Sequence, residues 1–242
     1  FNTEVIRIET KNNLADTVIT TVKNYTADII VCNADIHTVY EKLLPSSKKL
    51  KEVDAQERSS SALIFYWGMN MQFPQLDVHN ILFTEDYKTE FEHLFDSKTI
   101  TDDPTVYINI TSKKNSADAP KGKENWFVMI NVPSVYEQDW DMMIAEARKN
   151  IIAKISRILG EDISQYIEFE EQLTPQLIQT KTNSFKGSLY GTSSNNRFAA
   201  FFRHKNFSSD YKNLYFCGGS VHPGGGIPLA LSSAKIIAKL IK

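Results

Sequence analysis

The chain has 242 residues, 42% hydrophobic and 23% charged, an ordinary globular balance that excludes an intrinsically disordered polymer. Twenty-seven basic residues against twenty-nine acidic ones give a net charge of −2, so the broad positive field behind sequence-independent nucleic-acid binding is missing. At roughly 100 to 200 residues per domain the length suits one large domain or two small ones, with core enough to need neither disulfides nor a structural metal.

The chain opens Phe1-Asn2-Thr3-Glu4, without Met, and enters strand-like alternation at once, which suggests a fragment whose N-terminal partner segment is absent. Residues 4–10, 17–22 and 27–32 read as a β-meander, divided by turn residues at 11–13 and 23–24. A short helix over 36–44 is stopped by Pro45, and a polar loop rich in lysine and serine follows. Residues 61–68, 78–84, 105–111 and 126–132 are β-branched or aromatic and read as strands, with a helix at 86–95 between them.

Residues 139–159 form the clearest helix, with Asp139 placed to cap its start and Gly160 to end it. A strand at 166–171, a helical turn at 174–179 and a polar loop at 183–196 come next. The last unit is a strand at 213–217, a glycine-rich loop and a helix from Pro228 to Ile241. The longest apolar stretches fall far short of the roughly 20 residues that span a bilayer. Cys32 and Cys217 each close an apolar run, out of metal-ligand spacing with any histidine, and read as small buried hydrophobes.

Five of the ten glycines lie between Gly218 and Gly226, after a strand and before a helix. One reading is that Gly224, Gly225 and Gly226 let backbone approach a ligand, with the helix-start N–H groups facing an anionic or electron-rich group. The other is a strand-to-helix turn needing positive φ, for which one or two glycines suffice. The glycine count favours the ligand. The run is not a dinucleotide fingerprint, because it lacks the third glycine of G-x-G-x-x-G and no strand with a ribose-binding acid follows.

The run from Asn213 to Pro228, NLYFCGGSVHPGGGIP, closely resembles the C-terminal flavin-binding signature of carotenoid desaturases of the phytoene type, within the flavin amine oxidase superfamily. The segments ADIIVCNAD at 27–35, SALIFYWG at 61–68, HNILF at 79–83, DPTVY at 103–107 and GSLY at 187–190 resemble the same family, in the family's order. The likeness covers essentially the whole chain and implies the C-terminal half of such an enzyme.

The resemblance implies an α+β chain: the C-terminal part of an FAD-binding Rossmann-like domain at 1–36 and 205–242, and a mixed β-sheet substrate domain with covering helices at 37–204. It places Val5 near the adenine of FAD and Gly218 and Gly219 beside the ribityl and pyrophosphate. Gly225, Gly226, Ile227 and Pro228 would bring a helix N-terminus to the flavin N1 and C2 carbonyl, where it stabilises charge on the reduced ring. Two departures stand out: Gly219 replaces the Asp or Ala of relatives, and Leu229 replaces a frequent Gly. Backbone contacts survive both, whereas a ribityl hydrogen bond from an Asp side chain does not carry over.

Tyr190 is a candidate to line the channel above the flavin, or is an ordinary loop tyrosine. Arg203 and His204, after the apolar run 198–202, would orient the flavin or a substrate end, or make a structural ion pair. His222 would poise the flavin or shape the turn before Pro223. Asn33 and Asp35 read as caps on the return into the second domain, and 168–171 as a solvated strand face.

The implied activity is FAD-dependent desaturation of a carotenoid by hydride transfer to the flavin. The implied partners are a polyene lipid and the missing N-terminal half, and the implied location is cytoplasmic with peripheral membrane contact. No catalytic base and no metal are implied, and FAD is not expected to be retained by this half alone. A flavin-dependent isomerase or saturase, and a non-catalytic lipid-binding module, are the alternatives.

Overall fold

In the computed structural model, which describes residues 1–195 and 203–241, the chain folds as two compact units. The first joins Phe1–Ser59 to Gln179–Lys242, and the second is Ser60–Ile178, inserted between them in sequence. The breaks fall at 59/60 and 178/179, whereas the sequence reading divides the chain at 36/37 and 204/205. The reason is packing: Ile36, Val39, Tyr40, Leu44 and Val53 are buried in the same core as Ile30, Cys32, Leu214 and Phe216.

In the first unit, strands β1 (Val5–Lys11), β2 (Leu14–Thr20) and β3 (Asn24–Thr26) form an antiparallel meander whose third strand is 24–26, not the 27–32 expected from the sequence. Asn12 and Asn13 make its first turn with positive φ, as asparagine tolerates. Strand β4 (Ile30–Cys32) leaves the meander and pairs in parallel with β10 (Leu214–Phe216), Leu214 opposite Ile30. Asp35 caps α1 (Ile36–Thr38), which runs on as a π-helical turn, Val39–Leu43. Helix α2 (Lys49–Asp54) lies within the stretch read as a polar loop, with Val53 its buried residue. Helix α6 (Ile227–Leu240) closes the unit.

The second unit is built on a five-stranded sheet ordered β6-β7-β8-β5-β9. Its strands are β5 (Ser61–Met69), β6 (His79–Leu82), β7 (Val106–Asn109), β8 (Glu124–Val132) and β9 (Ile167–Leu173). Every pairing is antiparallel, where the sequence reading expected a mixed sheet. Strand β8 shows why one face is core: residues 124, 126, 128, 130 and 132 are buried and those between are not, the two-residue period of a pleated strand. Helix α3 (Tyr87–Glu92) follows β6, capped by Asp86.

Helix α4 (Trp140–Leu159) contributes Trp140, Ala147, Ile151 and Ile155 to that core. The Asp139 carboxylate accepts from Met142 N, and Gly160 ends the helix at φ +78°, as read from the sequence. Each large aliphatic or aromatic side chain fully buried here stabilises the fold by about 1.5–3 kcal/mol. Glu170 is not a solvated acid: it accepts from Trp67 Nε1 at 2.7 Å and pairs with Arg148 at 2.8 Å. Helix α5 (Pro175–Thr182) extends the predicted helical turn by three residues.

Candidate functional site

The glycine loop grows out of β10. Cys217 N donates to the Cys32 carbonyl at 2.9 Å, carrying the parallel pairing one residue beyond the strand. Gly218 then turns with φ +108°. Its N–H donates at 3.2 Å to Ser233 Oγ, a fully buried hydroxyl on α6. A Cβ on Gly218 would stand 2.6 Å from Asn33 Oδ1, so both φ and space require glycine here. Asn33, Cys32 and Ala34 in turn line a cleft of about 720 Å³ with Val5, Ile8 and Thr38. Val5 and Gly218 thus belong to one unit, linked through Asn33.

The second half of the loop meets residues 190–194. A Cβ on Gly225 would come 2.3 Å from Tyr190 Cδ1, and one on Gly191 would come 2.6 Å from the Ser220 Cα. A Cβ on Gly224 would stand 3.1 Å from the Arg203 guanidinium carbon. Three glycines therefore owe their identity to close approach within the chain. Gly226 differs, since among the described residues a Cβ there would meet nothing within 4 Å. It begins α6 with φ +94° and no side-chain cap, and Pro228 occupies the first turn. The exposed backbone N–H groups of this helix start carry partial positive charge.

Two buried cations flank the seam. Arg58 donates to Asp35 at 3.0 Å and to Ser188 Oγ at 3.3 Å. Arg203 donates from Nη1 to the Tyr190 carbonyl at 2.9 Å and the Gly219 carbonyl at 3.4 Å. From Nη2 it donates to the Thr192 carbonyl at 3.0 Å and Ser194 Oγ at 2.8 Å. Burial, with Arg58 nearby, draws the Arg203 pKa below its ordinary value.

His204 donates from Nδ1 to the Lys205 carbonyl at 2.7 Å, which leaves Nε2 as acceptor for the Tyr40 hydroxyl at 2.8 Å. Burial lowers the His204 pKa and raises that of Tyr40, which favours the neutral form of each. The His204 carbonyl also accepts from His222 N at 2.9 Å. The buried Asn206 amide donates to the His222 carbonyl at 2.7 Å and to Ser233 Oγ at 2.8 Å.

The candidate cofactor and channel residues from the sequence lie in the first unit: Val5 on the cleft, Gly218 and Gly219 at the end of β10, Gly225, Gly226, Ile227 and Pro228 at the start of α6, Tyr190 on Gly225, and Arg203 on Gly224. Asp35 does cap α1, accepting from His37 N at 2.9 Å. Sequence reasoning missed Arg58, Asn206 and Ser233. None of the three sits in a motif; each matters through partners more than ten residues away or through burial, which local pattern does not carry. The apolar run 198–202 lies outside the described residues.

No family model matches the chain. Among curated proteins it is 55% identical to a 1-hydroxycarotenoid 3,4-desaturase of Flavobacterium sp. (strain P99-3), over 100% of this chain and 49% of that protein. It is 35% identical to a 4,4'-diapophytoene desaturase of Staphylococcus haemolyticus, over 88% of this chain and 44% of the relative. It is 33% identical to a phytoene desaturase of Fusarium fujikuroi, over 89% and 41%.

Among solved structures an oxidoreductase from Methanosarcina mazei shares the fold, with a TM-score of 0.63 at 13% identity, over 98% of this chain and 49% of that one. Wild-type putrescine oxidase bound to putrescine does so with a TM-score of 0.52 at 11% identity, over the same shares. By sequence the chain is similar to carotenoid desaturases, and it spans about half the length of the curated relatives it matches.

Proposed function

We propose that this chain, completed by the half of its relatives' length that it does not span, works as an FAD-dependent carotenoid desaturase. The observation that carries the reading is the start of α6: Gly226, in a conformation that favours glycine, stands at a helix N-terminus where no described atom would meet its Cβ within 4 Å and no side-chain cap hydrogen bond is made among the described residues. Such a helix start suits an electron-rich or anionic group. The cleft that holds Val5 and reaches Gly218 through Asn33 gives an extended dinucleotide room beside the same loop.

Bound FAD would supply the hydride acceptor for dehydrogenating a C–C bond beside a polyene. Val5 would meet the adenine end, Gly218 and Gly219 the middle of the cofactor, and the Gly225–Pro228 backbone its electron-accepting ring. The Tyr190 ring, 44% exposed and seated on Gly225, would present an aromatic face to the polyene. The higher identity to the 1-hydroxycarotenoid enzyme favours a hydroxylated carotenoid over phytoene. Contact with a membrane surface would deliver such a lipid. No described helix is long and apolar enough to cross a membrane, and Ile81, Phe83 and Tyr87 are exposed on the second unit.

The test is expression of the full-length polypeptide in cells that accumulate a 1-hydroxycarotenoid. The purified protein is expected to be yellow with stoichiometric flavin, and the extracted pigment to absorb at longer wavelength. A full-length protein that binds no flavin, or leaves the pigment unchanged, overturns the reading. The 242-residue chain alone is expected to purify colourless, since a G-x-G-x-x-G fingerprint for the ADP moiety is not among its residues.

A further inference from the structure

The seam between residues 190–194 and the glycine loop is close-packed but almost without polar ties. Gly191 lies on Ser220 and Tyr190 on Gly225, yet among the described residues no hydrogen bond joins residues 188–195 directly to 218–226. Both walls are instead bonded to one group, the Arg203 guanidinium. It donates to Tyr190 O, Thr192 O and Ser194 Oγ on one side and to Gly219 O on the other, while its plane lies on Gly224. The His204–Val221 bridge and the bond from His222 N to His204 O fix its backbone to the same loop.

We propose that Arg203 is a positioning residue, whose guanidinium clamps residues 190–194 to the glycine loop and so holds Tyr190 on Gly225 at the start of α6. The proposal rests on the flavin reading of that loop. A lysine cannot replace it, because four acceptors spread over two walls need the rigid planar fork of donors, which a single ammonium lacks.

The clamp also has an electrostatic consequence. All four Arg203 acceptors are neutral, while Asp35 is paired with Arg58. The loop therefore holds a buried positive charge with no carboxylate among the described residues bonded to it, beside a helix N-terminus of the same sign. A flavin ring seated there gains stabilisation when it is reduced and anionic.

The experiment compares full-length wild type with Arg203→Lys, Arg203→Gln and Ser194→Ala, each checked for folding by circular dichroism. Flavin affinity is measured by fluorescence titration and the two-electron midpoint potential by dye equilibration. Arg203→Lys, which keeps charge and loses the fork, is expected to weaken flavin binding at least tenfold with little change in potential. Arg203→Gln is expected to weaken it similarly and to move the potential to more negative values. Ser194→Ala removes one acceptor of the clamp from the rim of the seam, and is expected to weaken binding two- to fivefold; it decides the matter if the Arg203 variants do not fold. Folded variants that bind flavin like wild type at an unchanged potential overturn the clamp while leaving the desaturase reading intact. A wild type that binds no flavin overturns that reading and the clamp with it.

Discussion

Asn213 and Ala15 exchange hydrogen bonds as two strand residues would, although only one of them contributes its backbone. Asn213 Oδ1 accepts from the Ala15 N–H at 2.8 Å, and Asn213 Nδ2 donates to the Ala15 carbonyl at 2.7 Å and to the Asp28 carbonyl at 3.0 Å. The side chain ties β2 to the base of β10. Replacing Asn213 with Asp keeps the shape but turns a donor into an acceptor facing two carbonyls. The expected loss is about 2–3 kcal/mol, read as a lower urea midpoint with an unchanged m-value.

Gly225 and Tyr190 should behave as a coupled pair. Gly225→Ala forces a methyl to within 2.3 Å of the ring, and overpacking of this kind costs about 1–3 kcal/mol. Tyr190→Gly removes both the ring and the Tyr190 Cβ, which would stand 2.6 Å from that methyl, so the double variant should be more stable than the sum of the single effects by about 1 kcal/mol or more. Gly226→Ala should show no such rescue: its penalty comes from φ +94°, worth roughly 1–3 kcal/mol at a glycine-only conformation. A double-mutant cycle in denaturant gives both answers.

His204 makes the fold acid-sensitive. Its pKa in the folded state lies below the ordinary histidine value because burial disfavours the charged ring. As pH falls through the ordinary histidine range, near 6.5, the unfolded chain takes up a proton before the folded one does. Stability therefore falls with acidification from that pH down to the lowered folded value, and is unaffected above it. Urea midpoints at pH 7.5 and 5 should draw closer together in His204→Gln than in wild type. An equal gap in both proteins would place the acid sensitivity elsewhere.

The cysteines should separate by reactivity. Burial, with the neighbouring Cys217, pushes the Cys32 thiol up to about 12, and burial also raises that of the half-exposed Cys217. Iodoacetamide at pH 8 should leave Cys32 unmodified in native protein, label Cys217 slowly, and label both in urea. Peptide mass spectrometry reads the sites directly.

Legibility in the sequence follows the range of the forces involved. The strands of the second unit and helix α4 were visible because burial imprints a period on neighbouring residues, as Trp126, Val128 and Ile130 do along β8. Helix α2 was not, since its short lysine-rich segment offers only Leu50 and Val53 as apolar residues, one spacing without repetition. The glycine cluster signalled the site, but not why each glycine is there. Gly225 answers to Tyr190, Gly224 to Arg203 and Gly218 to Asn33, and those partners lie far off in the chain.

The insertion of Ser60–Ile178 within the first unit sets an order of events during synthesis. The inserted unit has all its strands and α4 in one continuous stretch, so it can fold as soon as that stretch leaves the ribosome. The first unit must wait: Ile30 meets its parallel partner Leu214 only after the intervening segment has been made, and the closure of so long a loop carries an entropic cost that local contacts do not. Until then β4 presents an unpaired edge beside the exposed Ile29 and Val31, a nascent surface suited to chaperone capture or strand-mediated aggregation. Prior collapse of the inserted unit shortens the effective loop and the lifetime of that exposure.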